Sequence, residues 1–380
     1  MKIGFDAKRA YQNFTGLGNY SRDLIENLIK DFPNNQYVLF SPKDSENPRL
    51  NFLSQHENIS SVFPENKINK TFQGLWRTIN MEKSIIKNEI DIYHGLSNEI
   101  PRIRNKNIPY VVTVHDLIFK RYPRNYRTID RKIYNIKYKY AVKHSDLTIA
   151  ISEQTKKDIV EFYNISPDKI KVVYQTCHKN FRKDYLPESL TSIKEKFNLP
   201  NEFLLNVGTI ETRKNLIAVI HAMNIMKIDI PLVVVGKKTA YMNFLKIQIK
   251  KLNFNTNKII FLEDVSINDL PVIYKLSSLF VYPSIFEGFG IPILESLYCK
   301  TPVISSNGSC FSEAGGPFSK YVNPENQEEF AFQIEECLTN ENLRSEMIKM
   351  GFKHAQKFNP KELSKNLFDV YQSLFWKITI

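Results

Sequence analysis

The sequence predicts an α/β protein of two doubly wound domains facing each other across a cleft. Short β-rich apolar runs alternate with longer helix-like segments, the rhythm of βαβ units and parallel sheets. That rhythm restarts after the polar stretch Lys183–Pro200. The chain has 380 residues, 42% hydrophobic and 24% charged, too long for most single cores and comfortable for two. It shows no low-complexity tract, heptad series or short internal repeat.

Taken in order, the first strands are KIGFD, QYVLF, IDIYHG, YVVTVHD and DLTIAIS, with helical patterns between them. The second set is FLLNVG, PLVVVG, KIIFLE, LFVYPS and PVISS. In Pro360–Trp376, residues Leu363, Leu367, Val370, Tyr371, Leu374 and Phe375 recur at helical spacing, the mark of a terminal helix. We divide the chain into domains at 1–185 and 186–360, with a closing helix at 361–380.

The N-terminus lacks the apolar core of a signal peptide, and no apolar run approaches the ~20 residues that span a bilayer. A cytoplasmic protein is expected. Cys177, Cys299, Cys310 and Cys337 have no C-x-x-C spacing, which argues against a zinc site or disulfide framework. The net charge of +12 is uneven: twelve Lys and Arg residues lie between Arg102 and Lys143, against Asp116 and Asp130. Interleaved aromatics suit that segment to an anionic membrane surface, which would make the protein peripheral on the inner face of the cytoplasmic membrane. A solvated helical face and a nucleic-acid site are the alternatives.

In open parallel sheets, ligands bind beyond the carboxyl ends of the strands, so the following loops should carry the chemistry. The first is Asn13–Tyr20, where Gly16 and Gly18 let amides approach a phosphate at the start of a helix near Asn19 or Ser21; a plain tight turn explains the pair equally well. The second places His115 and Asp116 after YVVTV, where an imidazole orients a sugar or assists proton transfer, or is simply a satisfied structural donor. The third ends at Arg213 and Lys214, two cations at a helix start that the macrodipole disfavours unless an anion binds. A diphosphate suits them, Arg213 as a forked donor and Lys214 as a point charge; ordinary surface charge is the alternative. The fourth is Tyr282–Glu295, with Pro292 expected at the first helical position and Phe289, Gly290 and Ile291 offering free amides. Glu287 in the loop and Glu295 in the first helical turn suit sugar and ribose hydroxyls, although Glu295 also fits as a helix-dipole partner.

With these residues in place, the sequence resembles the retaining nucleotide-sugar glycosyltransferases of family four, which have the GT-B fold of two Rossmann-like domains. E-G-F-G-I-P-I-L-E, with Glu287-x7-Glu295, matches that family's signature. The likeness extends through G-x-G-N-Y, VHDL, V-G-T-I-E-T-R-K-N and C-K-T-P-V-I-S-S-N, nearest the bacterial mannosyl- and rhamnosyltransferase branch of polysaccharide and lipopolysaccharide synthesis. The resemblance implies Arg213 and Lys214 on the donor diphosphate and Glu295 on the ribose. It implies Glu287 and Phe289–Pro292 on the transferred sugar, Gly16 beside the phosphates and His115 near the reacting carbon. It also implies a terminal helix crossing back to the first domain. Val173–His178 departs from the family, lacking the usual Asn-Gly turn at the domain junction.

The function implied is transfer of a hexose, with retention, from a nucleotide sugar to a glycan or lipid-linked acceptor. GDP-mannose is the favoured donor, with UDP- or dTDP-sugars as alternatives. No D-x-D cluster suited to a metal bridge is present, so no metal or other cofactor is expected. A glycoside hydrolase would share the paired carboxylates and have no need of Arg213 and Lys214. A sugar-nucleotide epimerase would bind the donor and transfer nothing. A nucleic-acid-binding protein would explain the segment 102–143 and leave the Glu287–Glu295 loop without purpose.

Overall fold

The computed structural model describes residues 1–45, 47–226 and 229–379. They form two compact units: Met1–Thr176 with the stretch from Phe358, and Cys177–Lys357. The divisions lie at 176/177 and 357/358, where the sequence reading set 185/186 and 360/361. Packing explains the first: Asn180 Nδ2 donates to Asn268 Oδ1 at 2.7 Å and Phe181 meets Tyr274 edge-on, both inside the second unit. Phe358 packs against Tyr174 of the first unit, which explains the second. Ile380, the end of the expected closing helix, lies outside the described residues.

The first unit holds a seven-stranded parallel sheet. Its strands are β1 (Lys2–Asp6), β2 (Gln36–Phe40), β3 (Ile59–Val62), β4 (Ile92–Gly95), β5 (Tyr110–Val114), β6 (Leu147–Ala150) and β7 (Ile170–Val172), in the order β3-β2-β1-β4-β5-β6-β7. The second holds six parallel strands, β8 (Leu204–Val207), β9 (Leu232–Val235), β10 (Ile259–Leu262), β11 (Leu279–Tyr282), β12 (Val303–Ser306) and β13 (Lys320–Val322), ordered β10-β9-β8-β11-β12-β13. Central strands such as β5, β8 and β11 are buried along their whole length, because helices cover both faces of the sheet.

Each sheet reverses its strand order once, between β1 and β4 and between β8 and β11. There the loops leaving the carboxyl ends diverge to opposite sides and open a crevice. The loop after β8 carries Arg213 and Lys214, and the loop after β11 carries Glu287. Pairing of Leu204 with Leu279 and Leu205 with Phe280 fixes the register that brings those loops together.

The terminal helix Pro360–Thr379 belongs to the core of the first unit, with Leu367, Val370, Tyr371 and Leu374 buried there. Phe368 stacks on Phe32 with ring centroids 3.9 Å apart. His94 on β4 bonds the Tyr371 hydroxyl through Nδ1 at 2.6 Å and Thr113 through Nε2 at 2.8 Å. Burial lowers the pKa of this histidine to about 3, so it ties the helix down as a neutral ring. Among the described residues, no helix is long and apolar enough to cross a membrane.

Candidate functional site

In the second unit, β8 opens through Gly208, whose φ of +147° only glycine adopts at ease, into a loop running to Asn215. Arg213 and Lys214 sit in the short 3-10 turn Thr212–Lys214, ahead of the Leu216–Ile225 helix. Both turn onto one carboxylate oxygen. Arg213 Nη1 lies 2.5 Å and Lys214 Nζ 2.6 Å from Glu287 Oε1. The same oxygen accepts from Ser284 Oγ at 2.6 Å and the Tyr282 hydroxyl at 3.1 Å. Arg213 also reaches the Phe286 carbonyl and Glu211, and Lys214 stands 4.9 Å over the Tyr282 ring.

Burial works against the charge of Glu287, but Lys214 and Arg213 outweigh it and hold the carboxyl at about 2. Burial likewise opposes the charge of Arg213, and Glu287 and Glu211 raise its pKa in spite of that. A half-buried triad of two cations and one carboxylate therefore closes the switch point of the second sheet. One oxygen of Glu287 takes all the bonds described for its carboxylate. Its backbone is pinned as well, the amide donating to Ser309 Oγ and the carbonyl accepting from Ser309 and Cys310.

The Ile291–Tyr298 helix begins one residue earlier than expected, behind Gly290 at φ +103°. Pro292 is its second residue and Glu295 its fifth, so Glu295 lies beyond the first turn and the helix-dipole explanation for it falls away. Phe289 and Gly290 are buried, and Ile291 and Pro292 half-buried, beside the triad in sequence. Glu295 Oε2 accepts from the Tyr274 hydroxyl at 3.1 Å. Burial raises its pKa to about 7, against the lowering pull of Tyr274 and Lys214. Near neutrality the second carboxyl is thus poised between its two forms, while Glu287 stays ionised.

In the first unit, the helix after the glycine loop runs Gly16–Asp31, starting earlier than Asn19 or Ser21. The two glycines differ. A Cβ on Gly18 would lie 1.9 Å from the Asn13 carbonyl oxygen, and its amide already donates to Asn13 Oδ1 and the Thr15 carbonyl. Gly18 is thus demanded by packing. Gly16 is exposed, with no atom near its absent Cβ, and remains open to approach. Buried Arg22 holds the loop through the carbonyls of Ala10 and Asn13.

His115 is buried. Its Nε2 donates to the Leu96 carbonyl at 2.9 Å and its Nδ1 accepts from Gln175 at 3.3 Å, while Tyr20 meets the ring edge-on. Burial lowers its pKa to about 4. Both nitrogens are engaged and the ring is neutral, so proton transfer by His115 would first require breaking one of these bonds. Asp116 is half-buried and accepts from the Ile118 amide.

The sequence reading missed the partners that shape the site: Glu211, Tyr274, Tyr282, Ser284 and Ser309. It also missed buried Arg77, which donates to Asp6 Oδ2 at 2.6 Å and Glu99 Oε2 at 2.8 Å across the switch point of the first sheet. Tyr282 and Ser284 lay within the recognised loop, and their position at the end of β11 was the available signal. Nothing in the local sequence marks Arg77, whose partners are 71 and 22 residues away.

The model for "Glycosyltransferase Family 4" matches residues 14–176, and that for "Glycosyl transferases group 1" matches residues 190–354. The serotype-specific mannosyltransferase WbdA of Escherichia coli is 28% identical over 223 residues, 57% of this chain and 27% of that protein, so the chain spans about a quarter of that relative's length. O-antigen chain mannosyltransferase B of Escherichia coli is 24% identical over 391 residues, covering 98% of this chain and 100% of its own. The crystal structure of Anabaena HepE in complex with UDP and glucose aligns with a TM-score of 0.74 at 17% identity, over 98% of this chain and 100% of that one. Its likeness establishes the GT-B fold of two Rossmann-like units. With a glycosyltransferase model matching each half in turn, the chain belongs to the family-four glycosyltransferases.

Proposed function

We propose that this protein transfers a hexose, with mannose favoured, from a nucleotide diphosphate sugar to a glycan or lipid-linked acceptor in surface polysaccharide synthesis, with retention at the anomeric carbon. The observation that carries this reading is the Arg213–Lys214–Glu287 triad at the switch point of the second sheet. Two half-buried cations set side by side there suit a diphosphate. Departure of a nucleoside diphosphate builds negative charge on the leaving oxygen, and fixed cations in a low-dielectric site stabilise that charge without reorganising. In this reading Arg213 and Lys214 supply that charge and no metal is called on. UDP- and dTDP-sugars are the alternative donors to GDP-mannose.

Glu287 would orient the two cations and hold the transferred sugar, together with the Phe289–Pro292 segment. Glu295 would accept from the ribose hydroxyls, favouring its ionised form. Gly16 would leave room for the phosphates, Gly18 would shape that loop, and His115 with Asp116 would face the sugar. Retention fits a front-face route: the acceptor hydroxyl bonds to the anomeric carbon as the C–O bond to the diphosphate breaks, and its proton passes to the leaving phosphate oxygen. A lipid-borne acceptor would place the reaction at the cytoplasmic face of a membrane.

The relatives named for O-antigen mannose transfer favour a mannosyl donor. The test is incubation of GDP-mannose with acceptor lipids from a polysaccharide-producing bacterium and proton NMR of the product. An α-mannosyl linkage formed only when acceptor is present supports the reading. A β linkage would remove retention. Donor turnover with no acceptor requirement would favour the epimerase or hydrolase alternatives.

A further inference from the structure

The basic stretch between Arg102 and Lys143 divides in the structure into an inner and an outer face. On the inner side lies half-buried Tyr138, on which Tyr134 stacks and which Phe119 meets edge-on at 5.3 Å. The outer stripe of the Thr128–His144 helix is aliphatic, with Ile129, Ile133 and Ile136 exposed at helical spacing and Ile129 at 72%. Tyr140 continues that stripe. Its hydroxyl donates to the Arg102 carbonyl at 2.7 Å, and the Arg102 amide donates to the Thr78 carbonyl at 2.7 Å. The stripe therefore runs on, past exposed Ile103, to residues 67–80. There Ile68 and Phe72 are 66% and 61% exposed, and Leu75 and Ile79 are exposed as well. Exposed Lys67, Lys70, Arg127, Lys132 and Lys139 surround this apolar surface.

We propose that this face of the first unit docks on an anionic membrane, its isoleucines and Phe72 entering the headgroup–acyl boundary and its lysines meeting lipid phosphates. An apolar surface with a cationic rim is complementary to such a bilayer in both respects. Nucleic acid suits it less, because bases stack on aromatic faces and this exposed surface is mainly aliphatic. A second copy suits it less too, since a two-fold interface would set the cations against themselves. Between the two elements lies a small cavity of about 50 Å³, lined by Asp6, Arg77, Glu99, Arg102, Lys137 and Tyr140. It adjoins the switch point of the first sheet, so the docking face lies beside that crevice. The docking contact uses no residue of the donor triad; only its purpose rests on the reading of the acceptor as lipid-linked.

The test is flotation of the full chain with phosphatidylcholine vesicles, with and without phosphatidylglycerol, at low salt. The protein floats with the anionic vesicles. The double variants Phe72→Ser/Leu75→Ser and Ile129→Ser/Ile133→Ser, all at exposed positions, each lower the partition by roughly tenfold or more. Phe332→Ser, an exposed phenylalanine of the second unit, changes nothing. Phe72→Trp gains fluorescence that brominated lipids quench. Arg213→Ala floats like the wild type, so a loss of transfer and a loss of docking are separable. Absence of flotation, or flotation of both double variants equal to the wild type, overturns the proposal. Tighter binding to an RNA oligonucleotide than to anionic vesicles overturns it in favour of nucleic acid.

Discussion

Glu287→Gln removes one negative charge from the triad and keeps its shape. The carboxyl ionises at about 2 in place of an ordinary 4.5. Each pH unit of that difference is about 1.36 kcal/mol, so the surroundings favour the charged form by about 3 kcal/mol. The side chain is only 12% exposed, so solvent screening removes little of this. Loss of one partner from a buried ion pair costs about 3–5 kcal/mol, the same range. For a unit of this size the melting temperature falls by about 6–12 °C. The contribution is complete above the unfolded pKa near 4.5 and is lost as pH falls through about 2. Calorimetric melts of both proteins should therefore show a constant gap from about pH 7 to 5 and a narrowing one below 4.5. A nucleoside diphosphate should raise the melting temperature of the variant more than that of the wild type, because it restores the missing negative charge, while transfer falls. A melting temperature within about 2 °C of the wild type at neutral pH, or a gap that widens in acid, would refute the role given to this triad.

Glu295 titrates with the opposite sign: the folded chain holds its proton up to about pH 7, so stability falls as pH rises from 4.5 through 7. Nucleotide affinity measured by calorimetry should increase across pH 6–8 in the wild type and stay flat in Glu295→Gln, if ribose binding selects the carboxylate. His115, held neutral with its pKa near 4, stabilises the fold above the unfolded value near 6.5, a contribution lost as pH falls through 4. His115→Ala should cost about 2 kcal/mol in melts at pH 7, since it leaves the Leu96 carbonyl and Gln175 without partners. Gly18→Ala should destabilise by about 3 kcal/mol or more through its clash with the Asn13 carbonyl, whereas Gly16→Ala should melt like the wild type and lose donor affinity. Equal melting temperatures for the two glycine variants would contradict the distinction between them.

The central strands were legible because both of their faces are buried, so β1, β2, β4 to β6, β8, β9, β11 and β12 read as apolar runs; β10, an edge strand and only half-buried, was legible because all four of its residues are apolar. The other sheet edges were not. β3 is ISSV with both serines exposed, β7 has three residues with exposed Lys171, and β13 begins with half-buried Lys320. An edge strand lacks a second neighbour and tolerates polar residues, which erases the pattern. Within the site, Arg213, Lys214, Glu287 and Glu295 stood out because charge in a glycine-rich or apolar loop needs a reason. What the loop could not reveal was that Glu287 pairs with both cations, since that contact depends on β8 lying beside β11. The tyrosines between Phe119 and Tyr140 showed the same limit, because composition alone does not say which side of a helix meets the core.

The most direct test of the donor site is heat-induced unfolding with GDP-, UDP-, dTDP- and ADP-sugars, in the wild type, Arg213→Ala and Lys214→Ala. A ligand that binds only the folded state raises its stability by mass action, by about 2.7 kcal/mol at a hundredfold excess over Kd. A rise in melting temperature with one base class, strongest for GDP-mannose and absent from both variants, is the predicted result. No rise with any donor, or a rise that survives both substitutions, would contradict the assignment of Arg213 and Lys214 to the diphosphate.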